Sequence, residues 1–247
     1  KMKSYTSEYL RTLALVGHGG TGKTSLVSAI LFDTGMVNRL GKVDQGNTVT
    51  DFEEEEIERK TSIQAAVAFA VRDKYKINLI DTPGYSSFSW EARLGLRASE
   101  LGMMLVSAAD GVQVQTERIF DASTELNKPM MFVVNKIKKE LSSFGNAVAS
   151  IQDTFGKNAI PVQLPVGDGP QFRGVVDLLS GKCFLFSGDE KGTCREEPIP
   201  AEMEDEVTAA REALAEKVAE CDEQLMETYL EQGELSQEIG RASCRER

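Results

Sequence analysis

The sequence holds a single histidine, His18, in 247 residues. That excludes a metal centre built from several imidazoles. The four cysteines, Cys183, Cys194, Cys221 and Cys244, form no C-x-x-C pair and no zinc-ligand spacing. Reduced thiols in a cytoplasmic protein are the expected state. No apolar run approaches the ~18 residues that a bilayer-spanning helix needs, and the start, Lys1-Met2-Lys3-Ser4-Tyr5, lacks the apolar core of a signal peptide. A basic excess is missing too. Lys and Arg number 28 against 39 Asp and Glu, a net charge of −11, which argues against a protein that wraps DNA by bulk charge.

What is present is ordinary for a globular chain: 41% hydrophobic and 27% charged residues, too apolar for disorder. The charge is uneven. Residues 188–247 carry 18 acidic and 7 basic side chains, while residues 1–187 balance at 21 of each. A neutral body is followed by an acidic end.

Apolar runs alternate with helical patterns along the first part. Leu13–Val16, Ile63–Val71, Lys76–Ile80, Met103–Ser107 and Met130–Val134 read as strands, with a polar turn at Arg72-Asp73-Lys74. Lys23–Phe32, Ser87–Ser99, Gln115–Asn127 and Leu141–Phe155 read as helices. Alternation of this kind predicts an α/β fold, a mostly parallel sheet with helices on both faces. After Pro161 the pieces shorten: Pro161–Gly167 and Phe172–Leu179 suggest a small lobe. Glu202–Gln232 predicts a long helix with an apolar stripe through Met203, Val207, Leu214, Val218, Cys221, Leu225 and Tyr229.

Gly17-His18-Gly19-Gly20-Thr21-Gly22-Lys23-Thr24 fits G-x-x-x-x-G-K-[ST] between a strand and a helix. Glycines there let backbone N–H groups converge on phosphate oxygens, and the helix beginning near Lys23 and Ser25 adds its positive end. Lys23 is the candidate for the β- and γ-phosphates and Thr24 for Mg²⁺. Asp81-Thr82-Pro83-Gly84 follows a strand run. That puts Asp81 at the carboxyl edge where open α/β sheets bind ligands. Asp81 could order a metal's water shell, and Gly84 could offer its N–H to a γ-phosphate.

These motifs, together with Ala108–Glu117 (AADGVQVQTE), Val133–Lys136 (VVNK), Pro161–Gly167 (PVQLPVG) and Phe172–Leu179 (FRGVVDLL), resemble the GTP-binding domain of elongation factor G and the elongation factor G-like proteins. The resemblance runs from about Leu13 to about Ser236. It implies a P-loop GTPase fold with an inserted small α+β lobe: residues 1–158 as the GTP-binding core, 159–239 as the insert and 240–247 as an atypical tail, with the rest of a longer protein to follow. It also implies binding of GTP and GDP with Mg²⁺ as cofactor, through Gly17, His18, Gly19, Gly20, Thr21, Gly22, Lys23, Thr24, Ser25, Asp81, Gly84, Asn135 and Lys136. Thr24, Ser62 and Asp81 become the metal residues, with Thr61 as the fallback for Ser62. Lys23, Gly84 and Tyr85 become the catalytic group. The implied partners are the ribosome, both its RNA and its stalk proteins. A monomer with neither membrane nor DNA as partner is expected. His18 belongs to the loop and is read as shaping it. The acidic run Asp51–Glu58, ahead of the first switch segment Arg59–Ile63, is read as a solvated face without chemistry.

Two positions depart from the family pattern. Where DTPGH would supply a histidine to orient the attacking water, this chain has Tyr85, a poor base near neutral pH. Where N-K-x-D would end in a guanine-reading aspartate, it has Lys138. Slow hydrolysis, or a nucleotide-dependent binding module without hydrolysis, is the alternative these raise. Lys138 reads either as relaxed guanine selection or as an error in the sequence.

The aspartate accepts two guanine N–H bonds, each worth ~1.5–3 kcal/mol when charge-assisted. Lysine offers only donors. Lys138→Asp in the full chain should therefore raise the preference for GTP over ATP by about two orders of magnitude. Competition binding with the two nucleotides checks it, and unchanged selectivity would refute the reading of position 138.

Overall fold

The computed structural model describes residues 5–189 and 192–220. Its contacts separate into two compact units that part between Lys136 and Ile137.

In the first unit β1 (Leu10–Val16), β2 (Ala66–Arg72), β3 (Tyr75–Asp81), β4 (Leu101–Ser107) and β5 (Met130–Asn135) form one sheet in the order β2-β3-β1-β4-β5. β1 runs parallel to β3 and β4, and β4 parallel to β5. Only the edge strand β2 is antiparallel, paired with β3 from Ala66↔Asp81 to Arg72↔Tyr75. A two-residue turn joins these two strands, with Asp73 in the left-handed conformation at φ 54°.

Period-two alternation divides the central strands between two helical layers. Leu15, Leu79 and Leu105 form a buried cluster with Val27 and Leu31 of α1 (Lys23–Asp33). The intervening Ala14 and Ile80 turn to the other face, where Gly95 of α3 (Ser89–Ala98) comes against them. Between these two helices in sequence lies a short one, α2 (Glu54–Arg59). α4 (Val114–Glu125) follows β4. The expected α/β arrangement is present, mostly parallel and covered on both faces. The parallel strands send the loops after β1, β3, β4 and β5 to one carboxyl edge.

The second unit contains α5 (Phe144–Phe155), an antiparallel meander of β6 (Gln163–Val166), β7 (Gly174–Asp177), β8 (Lys182–Phe186) and β9 (Cys194–Glu197), and α6 (Glu204–Ala219). Leu164, Val166, Val176 and Cys183 of the sheet, with Leu178 just after β7, pack with Met203 and Val207, and with Phe144, Ala210 and Leu214 at the margin. The part of the expected long helix beyond Glu220, with Cys221, Leu225 and Tyr229, lies outside the described residues, as does the 240–247 tail.

α5 begins three residues later than the pattern suggests. Leu141 is left-handed (φ 62°) and 97% exposed, and the Ser143 hydroxyl accepts from Asn146 N at 3.3 Å, capping the helix there. Among the described residues, no helix is long and apolar enough to cross a membrane.

Leu79 sits 1% exposed in the central cluster, whereas Val67 on β2 is 71% exposed. Leu79→Ala should lower the unfolding free energy by about 3 kcal/mol, and Val67→Ala by less than about 0.5 kcal/mol. Urea unfolding of both variants tests this assignment of the core.

Candidate functional site

The loop after β1 is shaped by its backbone. Gly17 has φ +134°, and a Cβ there would lie 2.5 Å from the Leu105 carbonyl oxygen, so no other residue fits. Lys23, at the first position of α1, folds back over the loop. Its Nζ donates to the carbonyls of Gly17 at 2.9 Å and His18 at 3.0 Å. The His18 carbonyl also accepts from the Thr21 hydroxyl at 3.0 Å. His18 thus serves the loop through its main chain, while its Nδ1 is buried without a partner among the described residues.

Two further segments close on this loop. Gly84 is buried so tightly that a Cβ would collide with Lys23 Nζ and lie 2.6 Å from Gly19 N. The ring of the half-exposed Tyr85 rests on Gly19, where a Cβ would be 3.0 Å away. From the other side the 50–64 segment brings a hydrogen-bonded chain. The Ser62 hydroxyl donates to Asp51 Oδ1 at 2.6 Å and lies 3.1 Å from the Thr24 hydroxyl. Thr50 donates to Asp81 Oδ2 at 2.7 Å, and Asp81 Oδ1 is buried without a hydrogen-bond partner among the described residues.

Burial dominates the electrostatics. It pushes Asp81 up to about 6, against the Thr50 and Thr24 hydroxyls and the Lys23 charge, which favour the carboxylate. Desolvation lowers Lys23 to about 8, with Asp81 pulling the other way. Asp51 is raised by burial as well, opposed by the hydroxyl of Ser62, and the nearby Glu56 charge raises it further.

The structure brings Lys23, Thr24, Ser62, Asp81 and Gly84 together beside the glycine loop. Asn135, at the end of β5, joins them by donating Nδ2 to the Thr21 carbonyl at 2.8 Å. Lys136 follows in the left-handed conformation, φ 60°. Ser25 is exposed in the first turn of α1. The fallback Thr61 is turned away, its hydroxyl donating to the Arg59 carbonyl at 3.1 Å. Lys138, in the second unit, holds its Nζ 5.9 Å from the Phe172 ring centre, within cation–π range.

Asp51, Thr50 and Glu56 are additions that the sequence reading missed. The acidic run is not one solvated face. Glu53, Glu54, Glu55 and Glu58 are exposed, but Asp51 and Glu56 are 4% and 1% exposed. The available signal was the placement of acids just upstream of Ser62. Their burial follows from tertiary hydrogen bonds, which composition does not reveal.

A cation would suit this donor set. The orphaned Asp81 Oδ1 and the oxygens of Thr24, Ser62 and Asp51 are all hard ligands. Among the described residues, no cluster of three or more His, Cys, Asp or Glu forms a metal site. A cation here would lean on hydroxyls and ligand phosphates, the habit of Mg²⁺.

The family profile described as the elongation factor Tu GTP binding domain matches residues 8–246. The chain belongs to this GTP-binding domain family. Within it, the chain is 37% identical to elongation factor G of Thermotoga petrophila over 229 residues, 93% of this chain and 33% of that protein. Elongation factor G of Thermotoga sp. (strain RQ2) gives the same figures. A crystal structure of a Thermus thermophilus protein matches with a TM-score of 0.84 at 36% identity, over 91% of this chain and 33% of that one. The chain spans about a third of the length of the curated relatives it matches. The P-loop GTPase fold and the likeness to elongation factor G expected from the motifs both stand.

The GTP-binding-domain fold buries Asp81 where its charge is costly. Its folded pKa, about 6, lies above the ordinary 3.8. The folded state therefore holds this proton more tightly, and the stabilisation is full below about pH 4 and lost as pH rises through about 6. Asp81→Asn keeps an acceptor for Thr50 and removes the charge. In nucleotide-free protein it should flatten this part of the pH–stability curve and add about 2 kcal/mol at pH 7. Chemical denaturation from pH 4 to 7 checks it.

Proposed function

We propose that this chain is the nucleotide switch of an elongation factor G-like translational GTPase. It binds GTP with Mg²⁺, hydrolyses it to GDP and phosphate, and changes conformation on the ribosome. The observation carrying this reading is the convergence of Lys23, Thr24, Ser62, Asp81 and Gly84 on one glycine loop. The family membership supports it. Residues 1–158 are proposed as the GTP-binding core and 159–239 as its inserted lobe, in a cytoplasmic, monomeric factor. Ribosomal RNA and stalk proteins are its partners.

In this reading Gly17 to Ser25 cradle the phosphates. Lys23 exchanges its carbonyl partners for phosphate oxygens, and the charge that burial opposes gains an anionic partner. Thr24 and Ser62 hold Mg²⁺ through their hydroxyls, with Asp81 and Asp51 ordering its surroundings. Mg²⁺, when bound, supplies charge that offsets the phosphates. Gly84 presents its N–H toward the terminal phosphate. Asn135 and Lys136 frame the base. The Tyr85 phenol, over Gly19, can hydrogen-bond to water but is a weak base. Hydrolysis breaks the bond between the terminal phosphorus and the bridging oxygen, water's oxygen forms the new one, and of water's two protons one stays on the phosphate and one passes to solvent. Loss of the terminal phosphate frees Gly84 and the 50–64 segment.

Tyr85 also favours a second reading, a nucleotide-dependent ribosome-binding module with little hydrolysis. Single-turnover phosphate release with and without ribosomes separates the two. Ribosome-stimulated release is expected in the wild type, with a drop of about 100-fold in Lys23→Ala, as loss of ~3 kcal/mol would give. If ribosomes do not stimulate release from the wild type, the binding module is correct and the hydrolytic reading fails.

A further inference from the structure

Glu56 is a carboxylate 1% exposed, and among the described residues none of its hydrogen-bond partners is a cation. Its two oxygens are instead filled by backbone. Oε2 accepts from Phe52 N at 3.2 Å and Glu53 N at 3.3 Å. Oε1 accepts from Ile63 N at 2.8 Å and Gln64 N at 3.2 Å. Two N–H groups on each oxygen meet the acceptor capacity of a carboxylate, so the charge is stabilised by main-chain dipoles.

The positions of those amides matter. The first pair directly follows Asp51 and the second directly follows Ser62, the two residues joined at 2.6 Å in front of Thr24. Glu56 is also held in place from within its own helix. Its N–H reaches the Glu53 side chain in a capping box, and its carbonyl accepts from Thr61 N at 3.0 Å. The next residue along, Ala65, donates its N–H to Glu91 Oε2 of α3 at 3.3 Å, tying the segment's exit to the helix that follows Gly84.

We propose that Glu56 is the positioning residue of the GTP–Mg²⁺ site: its carboxylate clasps both ends of the 52–64 segment and so fixes Asp51 and Ser62 as one unit. The proposal rests on the Mg²⁺-dependent nucleotide reading given above. A carboxylate is suited to this work because both its oxygens accept. An amide at the same place would set its NH₂ against one of the two N–H pairs. The exposed neighbours Glu53, Glu54 and Glu55 do not share this role: the Ile63 and Gln64 amides donate to Glu56 Oε1 instead.

The test uses the full chain in three measurements. In the wild type, the Phe52, Glu53, Ile63 and Gln64 amides should be protected from hydrogen exchange and open together. Free exchange at these four, with β1 still protected, would overturn the clasp without any variant. In Glu56→Gln, the same amides should exchange at least tenfold faster while GDP affinity stays within about twofold. The Mg²⁺ concentration for half-maximal binding of a non-hydrolysable GTP analogue should rise about tenfold, the usual scale for residues that orient metal ligands. Saturating Mg²⁺ should restore that binding. A general folding defect would weaken GDP as well and would not be rescued. Unchanged Mg²⁺ dependence, or equal loss of GDP and the analogue, overturns the proposal. If the wild type itself binds the analogue without Mg²⁺ dependence, the nucleotide reading fails, and the exchange data still judge the clasp.

Discussion

The site is organised around two charges held out of water. Lys23 and Asp81 are 6% and 1% exposed, and burial drives their pKa values toward each other, to about 8 and about 6. Each charge is tolerated because backbone and hydroxyl dipoles surround it: two loop carbonyls on the ammonium, the Thr50 hydroxyl on the carboxylate. The arrangement favours an anion beside Lys23 and a cation beside Asp81. The loop geometry, the close packing of Gly84 and the approach of the 50–64 segment all follow from building that slot at the sheet edge.

The 50–64 segment shows how a surface loop can be held without a hydrophobic anchor. Its order comes from polar contacts: Thr50 to Asp81, Ser62 to Asp51, and the Glu56 carboxylate to four amides. Phe52 and Ile57 are exposed, so little apolar burial ties the segment down. Polar contacts of this kind contribute only ~1 kcal/mol each and depend on geometry. A segment held that way can release as a unit when one contact is lost, as a switch requires.

The regular elements of the first unit were legible because their signals are local. Buried strands read as apolar runs, and the glycine loop reads as punctuation between a strand and a helix. Errors cluster where a residue's neighbour is distant in sequence. β8 and β9 have no counterpart in the sequence reading, because residues 182–197 show little strand patterning of their own and become strands by pairing, β8 with β7 and β9 with β8. The start of α5 was placed early because Leu141 fits the apolar pattern, although its backbone is left-handed and its side chain faces water. Asp51 and Glu56 looked like their exposed neighbours because residue type alone does not show which carboxylates amides will surround.

By itself, the sequence determined the fold class, the glycine loop with Lys23 and Thr24, and the family, because each is encoded in short-range pattern and spacing. It also determined the uneven charge, a balanced body and an acidic end. The family motif already favoured Ser62 over Thr61, but only the tertiary structure brought that hydroxyl to Thr24 and decided which acids of the 51–58 run are buried. It alone turned Lys138 toward Phe172. The physical reason is that these choices are made by hydrogen bonds and desolvation between segments tens of residues apart, and those appear only once the chain has closed on itself.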